Sequence, residues 1–177
     1  MNMKKQNLVF LDLETTGLDL TKHEIIEVGF IVTTPRLKVI EELEMKIKPE
    51  RIQDADPVSL KISHYNEDDW RDSISLKEAI KIISEKTKDC ILIGQNVAFD
   101  SGFLDVAFSK MGIQNSMNYH KLDTISIAWT KLHKNRKVKS FSLREMCLYF
   151  GIKNEKAHTA LSDARATFEV YKKLMKL

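Results

Sequence analysis

The stretch "FLDLETTG", Phe10 to Gly17, ends an apolar run with two acidic residues that are separated by a single leucine. The run from Leu8 to Leu13 is apolar on both alternations of an extended chain, which is typical of a strand buried on both faces. Residues two apart share a face of a strand, so Asp12 and Glu14 lie on one side, with Cα atoms about 6.6 Å apart at a rise of roughly 3.3 Å per residue. Two like charges at a mostly buried strand end repel each other and lose hydration, and a divalent cation would compensate both.

The same pair of acids also has a purely structural interpretation. In that interpretation the carboxylates end the strand and accept hydrogen bonds from the turn at Thr15, Thr16 and Gly17, where glycine readily adopts a positive φ. Acids at strand ends are common, so this stretch alone favours the structural interpretation. The rest of the chain has to decide between the two.

Length and composition indicate one ordinary globular domain. The 177 residues are 43% hydrophobic and 30% charged, and we expect a single domain over residues 1–177. The basic start MNMKKQ is followed too soon by Asp12 to form a signal-peptide core. Cys90 and Cys147 have no zinc-ligand spacing and are expected to be buried thiols in a reducing compartment. We therefore expect a cytoplasmic protein without a membrane segment, and its net charge of +3 is compatible with nucleic acid without requiring it.

Strand patterns come first in the chain and then alternate with helical patterns. "EIIEVGFIVTT" is rich in β-branched residues and "LKVIEELEMKIKP" alternates, with a turn near Thr34-Pro35-Arg36 between them. "CILIG" and "KLD" predict two further short strands. Helical periodicity follows in "SLKEAIKIISEKTKD", "NVAFDSGFLDVAFSKMG", "TISIAWTKLH", "SLREMCLYFGI" and "TALSDARATFEVYKKLMKL". This order predicts an α/β or α+β domain.

Two further acids and one histidine stand at helix starts. Asp100 lies in the first turn of the second helix, where an acid suits the helix dipole and where Asn96 is expected to be the N-cap. Asp163 lies beside Ala160 at the buried border of the last helix, where an unpaired carboxylate is unfavourable, so it needs a partner. His158 precedes Asp163 by five residues, about 140° around a regular helix. If both serve one site, His158 belongs to the loop that enters the helix.

Three motifs, "FLDLETTG", "NVAFD" and "HTALSDA", closely resemble in order and spacing the exonuclease motifs of the DEDDh family. These are the DnaQ-like 3′–5′ exonucleases, which include the polymerase III epsilon proofreading subunit, RNase T and oligoribonuclease. Weaker similarity covers nearly the whole chain, including "IIEVG", "KISHYNEDDW", "KLDT" and "SLREMCLYFGI". The resemblance implies an α/β, RNase H-like fold, in which a five-stranded mixed sheet with an antiparallel second strand is flanked by helices.

The resemblance also implies a reaction. It is metal-dependent 3′–5′ exonuclease hydrolysis of terminal phosphodiesters in single-stranded nucleic acid, with DNA favoured, to nucleoside 5′-monophosphates. The family assigns Asp12, Glu14, Asp100 and Asp163 to two divalent metal ions and His158 to the general base. Oxygen ligands select Mg²⁺ or Mn²⁺ over zinc, and two ions roughly 3.5–4 Å apart stabilise the attacking and leaving oxygens of an in-line displacement.

Family analogy places the terminal nucleotide on the loop after the first strand. Backbone groups there would lie near the sugar, with Leu18 against the base and Phe103 on its other side, although Phe103 also fits a core position in its helix. The expected substrate contacts are Thr15, Thr16, Gly17, Leu18, Asn96 and Phe103.

Three other features leave alternatives open. In "KISHYN", Ser63 stands where relatives carry a substrate-contacting histidine and His64 stands where they carry glycine, so a substitute role for His64 is open. Asp123 recurs in the family, but its plainer role is N-cap of the following helix. The basic run "KLHKNRKVK", residues 131–139, offers phosphate contacts or is simply a solvated loop.

Two other functions compete with a DNA exonuclease. One is trimming of RNA 3′ ends or oligoribonuclease-type activity, because discrimination between DNA and RNA depends on contacts to the 2′-hydroxyl. The other is a non-catalytic nucleic-acid-binding module associated with a polymerase, which the presence of all five acting residues disfavours. The expected partners are single-stranded DNA or RNA 3′ ends, with a DNA polymerase as a candidate and no membrane.

Overall fold

A five-stranded mixed sheet forms the centre of the molecule. The computed structural model describes residues 3–177, and the first two residues of the expected domain lie outside that range. The strands lie in the order β3-β2-β1-β4-β5 across the sheet. Their bounds are β1 (Leu8–Thr15), β2 (Ile25–Thr33), β3 (Val39–Lys46), β4 (Ile91–Gly94) and β5 (Lys121–Asp123).

Six α-helices flank the sheet within the described residues. Two of them begin with a serine cap, as the sequence predicts for Ser75, whose side chain accepts the Glu78 N–H. The third helix ends at Gly112 in a left-handed conformation, also as predicted. Their bounds are α1 (Pro57–Ile62), α2 (Leu76–Lys86), α3 (Val97–Met111), α4 (Thr124–Leu132), α5 (Leu143–Phe150) and α6 (Ala160–Leu174).

The strand directions agree with the predicted RNase H-like sheet. β1 pairs antiparallel with β2 and parallel with β4, while β2 and β3 are antiparallel and β4 and β5 parallel. The prediction of a mixed sheet with an antiparallel second strand is therefore confirmed. β1 lies centrally because its apolar residues cover both faces, as its alternation requires.

The two faces of β1 pack into different cores. Val9 and Leu11 face the helices α2 and α3 within the larger cluster. Phe10 faces α6, where its ring lies 4.9 Å from that of Phe168 and 5.3 Å from that of Tyr171, centroid to centroid. The α6 side of β1 is thus the side on which Asp12 and Glu14 also lie, since side chains alternate.

A third apolar cluster joins α4, α5 and α6 beside the sheet. Cys147 belongs to it and Cys90 to the larger core; both are free and buried, as expected. Burial raises the pKa of each thiol to about 11, so both remain protonated. Among residues 3–177, no helix combines the length and the apolar character that crossing a bilayer requires.

Candidate active site

The carboxyl end of β1 brings Asp12 and Glu14 to the N-terminal end of α6. In the antiparallel register Asp12 lies opposite Gly29 and Glu14 opposite Glu27, and the ladder shifts between Glu14 and Thr15. The pairing continues after this shift, with Thr15 opposite Ile25. Both carboxylates lie on the α6 side of the sheet, because they share the strand face of Phe10.

Asp100 reaches the same end of β1 from α3. Its side chain is only 3% exposed and accepts a hydrogen bond from the Leu13 N–H at 3.1 Å. The parallel pairing of β1 with β4 extends only as far as Phe10, so the amide of Leu13 has no strand partner on that side. The Asp100 carboxylate accepts the hydrogen bond that a strand carbonyl would otherwise accept from this amide. The bond fixes Asp100 beside the two acids of β1.

Asp163 lies in the first turn of α6. Its carboxylate is buried, and it accepts the hydrogen bonds that a buried carboxylate requires. The Asn154 side-chain amide donates to Oδ1 at 2.5 Å, and the His158 backbone N–H donates to Oδ2 at 3.1 Å. Ser162 Oγ donates in turn to Asn154 Oδ1 at 2.7 Å. Sequence reasoning missed Asn154, because a polar residue in a loop carries no pattern that distinguishes it.

His158 lies on the loop before α6, as predicted, in a left-handed conformation with φ of 67°. Its side chain is exposed. One ligand atom each from Glu14, His158 and Asp163 lies within 4.8 Å of the others. The imidazole and two carboxylates thus face a common space.

Burial, together with repulsion between carboxylates, raises the pKa of three acids of the site. Burial first, and then Asp100, Asp163, Glu14 and Glu27, raise the pKa of Asp12 well above its usual range. Burial, followed by the same kind of repulsion, raises the pKa of Glu14 to about 8. Burial also raises the pKa of Asp100 to about 7, against the opposing effect of backbone hydrogen bonds that include the Leu13 N–H.

Such a cluster fits a divalent cation. Carboxylates that are hard to ionise alone become favourable ligands when a doubly charged ion replaces their protons. The donors are carboxylate oxygens with one imidazole nearby, and no thiol belongs to the group, which suits a hard ion better than a soft one. Asp12, Glu14, Asp100 and Asp163 are the residues that would hold it.

Glu27 is a residue of the site that sequence reasoning missed. It is 2% exposed and accepts the Ala160 N–H at 2.9 Å, whereas Thr159, at the N-cap position of α6, makes no side-chain cap bond. Glu27 therefore caps α6 from β2 and fixes the start of the helix that carries Asp163. Burial raises its pKa to about 7, partly opposed by that N–H. The available signal was a lone acid within the apolar run "IIEVG".

The loop after β1 is rigid and exposes one apolar side chain. Thr15 Oγ1 donates to the Gly17 carbonyl at 2.8 Å, and Thr16 Oγ1 accepts the Glu24 N–H at 2.9 Å. Both threonines are buried, while Leu18 is 76% exposed. Leu18 is therefore available for an external apolar contact, and the expected contact of this loop with a terminal nucleotide stays a prediction.

Two expectations for α3 need correction. Asn96 stands at the N-cap position in a left-handed conformation but makes no cap hydrogen bond with its side chain. Asp123 caps α3 instead, because its Oδ2 accepts the Val97 N–H at 3.0 Å. Phe103 is only 2% exposed and packs in the core, with its ring 5.0 Å from that of Phe99. This burial contradicts the expected contact of Phe103 with a base and agrees with its core alternative.

Three further candidates are His64, Asp123 and the cations of residues 131–139. His64 has a positive φ of 55° and lines a cavity of about 220 Å³ with Glu27, Lys46 and Lys156. Asp123 also caps α4, as predicted, through Oδ1 and the Ile125 N–H at 2.7 Å. The cations of residues 131–139 are exposed at the end of α4 and on the loop that follows it.

A mixed sheet in this order, with four carboxylates and a histidine at one end of its central strand, defines the class of RNase H-like nucleases. The family model described as Exonuclease (RNase T type) matches residues 9–171. The chain therefore belongs to this exonuclease family, of the DEDDh or DnaQ-like type.

Curated relatives are polymerases of much greater length. The PolC-type DNA polymerase III of Thermotoga maritima is 31% identical over 170 residues, which is 96% of this chain and 12% of that protein. The corresponding polymerase of Caldanaerobacter subterraneus subsp. tengcongensis is 28% identical over 172 residues, 94% of this chain and 11% of that protein. The chain thus spans about an eighth of the length of these relatives.

Solved structures share the fold at lower identity. Exonuclease I of E. coli in complex with a dT13 oligonucleotide superposes with a TM-score of 0.83 at 20% identity, covering 96% of this chain and 41% of that one. Exonuclease I of Methylocaldum szegediense gives 0.81 at 22% identity, covering 97% and 40%. These likenesses establish the fold.

Proposed function

We propose that this chain is an exonuclease domain that hydrolyses the terminal phosphodiester at 3′ ends of single-stranded nucleic acid. DNA is the favoured substrate and nucleoside 5′-monophosphates are the products. The observation that carries the proposal is the convergence of Asp12, Glu14, Asp100, Asp163 and His158 at the end of β1, since three separate segments contribute to it.

The four acids are assigned to two divalent cations, Mg²⁺ or Mn²⁺. When bound, such ions supply Lewis-acid stabilisation of the attacking and leaving oxygens and neutralise the charge of the phosphodiester. Asp100 and Asp163 are held in place by the Leu13 and His158 amides, so these two ligands are preorganised. Asp12 and Glu14 are fixed by the strand itself.

His158 is assigned to the general base. Its backbone is fastened to Asp163 while its imidazole is exposed beside Glu14 and Asp163. From that position it takes the proton from the attacking water, which must enter in line with the leaving 3′ oxygen. The loop after β1, which carries Leu18, receives the terminal nucleotide and orients its phosphodiester toward the acids.

Relatives support DNA as the substrate. PolC-type relatives are DNA polymerases by name, and the exonuclease I neighbours include complexes with dT13 and dA16 oligonucleotides. We infer that a DNA polymerase is a partner of this domain for the same reason.

Recognition through stacking and apolar contact with Leu18 discriminates poorly between base sequences.

The test replaces one metal ligand. Asp12→Ala is expected to abolish cleavage while the protein stays folded, because removing one carboxylate relieves repulsion as it empties the site. Release of nucleoside monophosphates from 3′-end-labelled strands, with Mg²⁺ or EDTA, measures activity, and circular dichroism measures folding. Asp72→Ala, at an exposed turn, is the matched control and should retain activity. Substantial Mg²⁺-dependent turnover by folded Asp12→Ala protein would refute the assignment.

A panel of substrates separates the alternatives. Single-stranded DNA of mixed sequence should be degraded throughout and slowed where it becomes duplex. Faster cleavage of RNA of the same sequence would instead favour RNA 3′-end trimming. Binding without cleavage of any strand by the wild-type protein would favour the non-catalytic module.

A further inference from the structure

Five cations lie close together in the sequence, one in the last turn of α4 and four on the loop between α4 and α5. None of them forms an ion pair with another residue within the described range 3–177. All are exposed, so their charge is available to an external anion. They are Lys131, Lys134, Arg136, Lys137 and Lys139.

Packing and hydrogen bonds attach this loop to the rest of the domain. Val138 and Phe141 pack against the cluster of α4, α5 and α6. The Asn135 side-chain amide donates to Tyr149 Oη at 2.9 Å, and Gln95 Nε2 donates to the Phe141 carbonyl at 2.7 Å. Because its apolar residues point inward, the loop presents its cations outward from a fixed base.

An exposed tryptophan lies beside these cations. Trp129 on α4 is 57% exposed, and its ring stacks on His133 at 5.7 Å with an interplanar angle of 18°. Phe141 meets the same ring edge-on at 5.3 Å. The other tryptophan, Trp70, is buried and donates from Nε1 to the Ile26 carbonyl. In contrast to Trp70, Trp129 leaves most of its surface unpacked, so that this surface is available to a ligand.

A cleft connects residues of the candidate active site with the start of α5. His158 and Asp163 line a cavity of about 280 Å³ together with Leu143 and Arg144, which begin α5. Phe141 precedes Leu143 by two residues and lies against Trp129. A strand that leaves the acids along this cleft would reach the aromatic group and then the cations.

We propose that this region, the Trp129 surface, binds the part of a single strand that lies upstream of the terminal nucleotide. It comprises Trp129, His133, Phe141 and the five cations of residues 131–139. Bases stack on the Trp129 ring and phosphates contact the cations, a combination that holds single strands regardless of sequence. The assignment of the occupant rests on the proposed function.

Fluorescence of the full chain in EDTA tests the stacking without any cleavage. Titration with oligo(dT) dodecamers should quench Trp129, while the buried Trp70 supplies a constant background. Trp129→Ala should remove the quenching and weaken affinity, measured by anisotropy of a labelled dodecamer, by about 10-fold, a typical value for loss of one stacked base. Tyr119→Ala removes another exposed aromatic residue and should change affinity less than twofold.

Charge variants test the phosphate contacts. The triple change Lys134→Ser, Arg136→Ser and Lys137→Ser should reduce the slope of log affinity against log salt by about 2, at roughly 0.7 per single-strand phosphate. The matched control removes the same net charge by replacing three exposed lysines of α2 and the following turn. Those changes are Lys77→Ser, Lys81→Ser and Lys88→Ser, and the slope should stay as in the wild type.

The outcomes separate this inference from the proposed function. Unchanged dodecamer affinity in Trp129→Ala, or equal slopes for the two triple variants, would overturn the Trp129 surface even if the protein cleaves DNA. Quenching by oligo(dT) together with both variant effects would support the surface even if no strand is cleaved. Quenching by polyglutamate as strong as that by oligo(dT) would assign the surface to an acidic protein partner and would also overturn the proposal.

Discussion

His158 combines two tasks in one residue. Its left-handed φ of 67° is unfavourable for a residue with a side chain, by roughly 1–2 kcal/mol. That conformation turns the backbone N–H toward Asp163 at 3.1 Å while the imidazole projects outward. Because strain of this kind persists only where surrounding bonds fix it, we regard the turn as part of the site's preorganisation.

The general-base assignment predicts a specific loss in His158→Ala. The rate of single-turnover cleavage should fall by roughly 10²–10⁴-fold, the usual size of a general-base contribution, while Mg²⁺ affinity changes little. In the wild type the rate should also decline toward acid, because a protonated imidazole cannot accept a proton. With Mg²⁺ kept saturating at each pH, that decline should disappear in the variant.

His120→Ala is the control for this experiment. His120 lies before β5 and bonds to Asn118, so its loss should leave the pH profile as in the wild type. A His158→Ala enzyme with near-normal rates and the same acid decline would show that the base lies elsewhere.

Single residues also mark where sequence reasoning reached its limit. For Asp12 and Glu14 the apolar pattern indicates a need for charge compensation but does not distinguish a metal site from a strand end, and only the family resemblance assigns them, with Asp163, to metal ions. Asn96 is expected to cap α3 with its side chain, but hydrophobic periodicity does not reveal its left-handed φ of 64°, and its side chain makes no cap hydrogen bond. Glu27 was missed because its partner, the Ala160 N–H, is 133 residues distant.

At the scale of elements, the contact between β2 and α6 builds the site. A Cβ atom at Gly29 would lie 2.0 Å from the backbone N of Leu161 and 2.3 Å from the Ala160 carbonyl carbon. The helix therefore lies directly on the strand backbone, and Glu27, two residues away, caps its start. Periodicity predicted both elements, but only the missing side chain of Gly29 permits their close approach.

Gly29→Ala should displace the start of α6 and with it Asp163. Overpacking of this kind is expected to destabilise the fold by roughly 1–3 kcal/mol and to weaken both Mg²⁺ binding and cleavage. Urea unfolding and calorimetric Mg²⁺ titration measure the two effects.

Gly112→Ala gives the comparison. Gly112 has a φ of 64° and open space around it, so alanine there should lower stability by about 1–2 kcal/mol without changing Mg²⁺ affinity. Equal effects of the two variants on Mg²⁺ affinity would argue that the β2–α6 contact does not position the site.

For the whole molecule, stability is linked to the charge of the site. The pKa of Glu14 rises from 4.5 to about 8 and that of Asp100 from 3.8 to about 7 on folding. At a pH between the unfolded and the folded pKa of each group, the folded protein keeps a proton that the unfolded chain has released. Its free energy of unfolding must then fall as pH rises.

We expect the metal-free protein to lose stability progressively between pH 4.5 and 8, the limits set by Glu14. Added Mg²⁺ should raise the melting temperature more at the upper end of that range, because bound ions require ionised carboxylates. Thermal unfolding in EDTA and in Mg²⁺ across this range measures both trends.

Glu14→Gln should flatten the decline, whereas Asp72→Asn, which changes an exposed acid, should leave it unaltered. Stability of the metal-free protein that rises steadily with pH over the same range would contradict the assigned pKa shifts.

Asp123 has a consequence for which substitutions the fold can accept. One oxygen of its carboxylate caps α3 and the other caps α4, so the helix that carries Asp100 and the helix that carries Trp129 share a single side chain. Asparagine has only one acceptor oxygen and could serve one of the two helices. Glutamate has both oxygens but a longer stem. At this position the number of acceptors, together with the reach of the side chain, narrows the choice to aspartate.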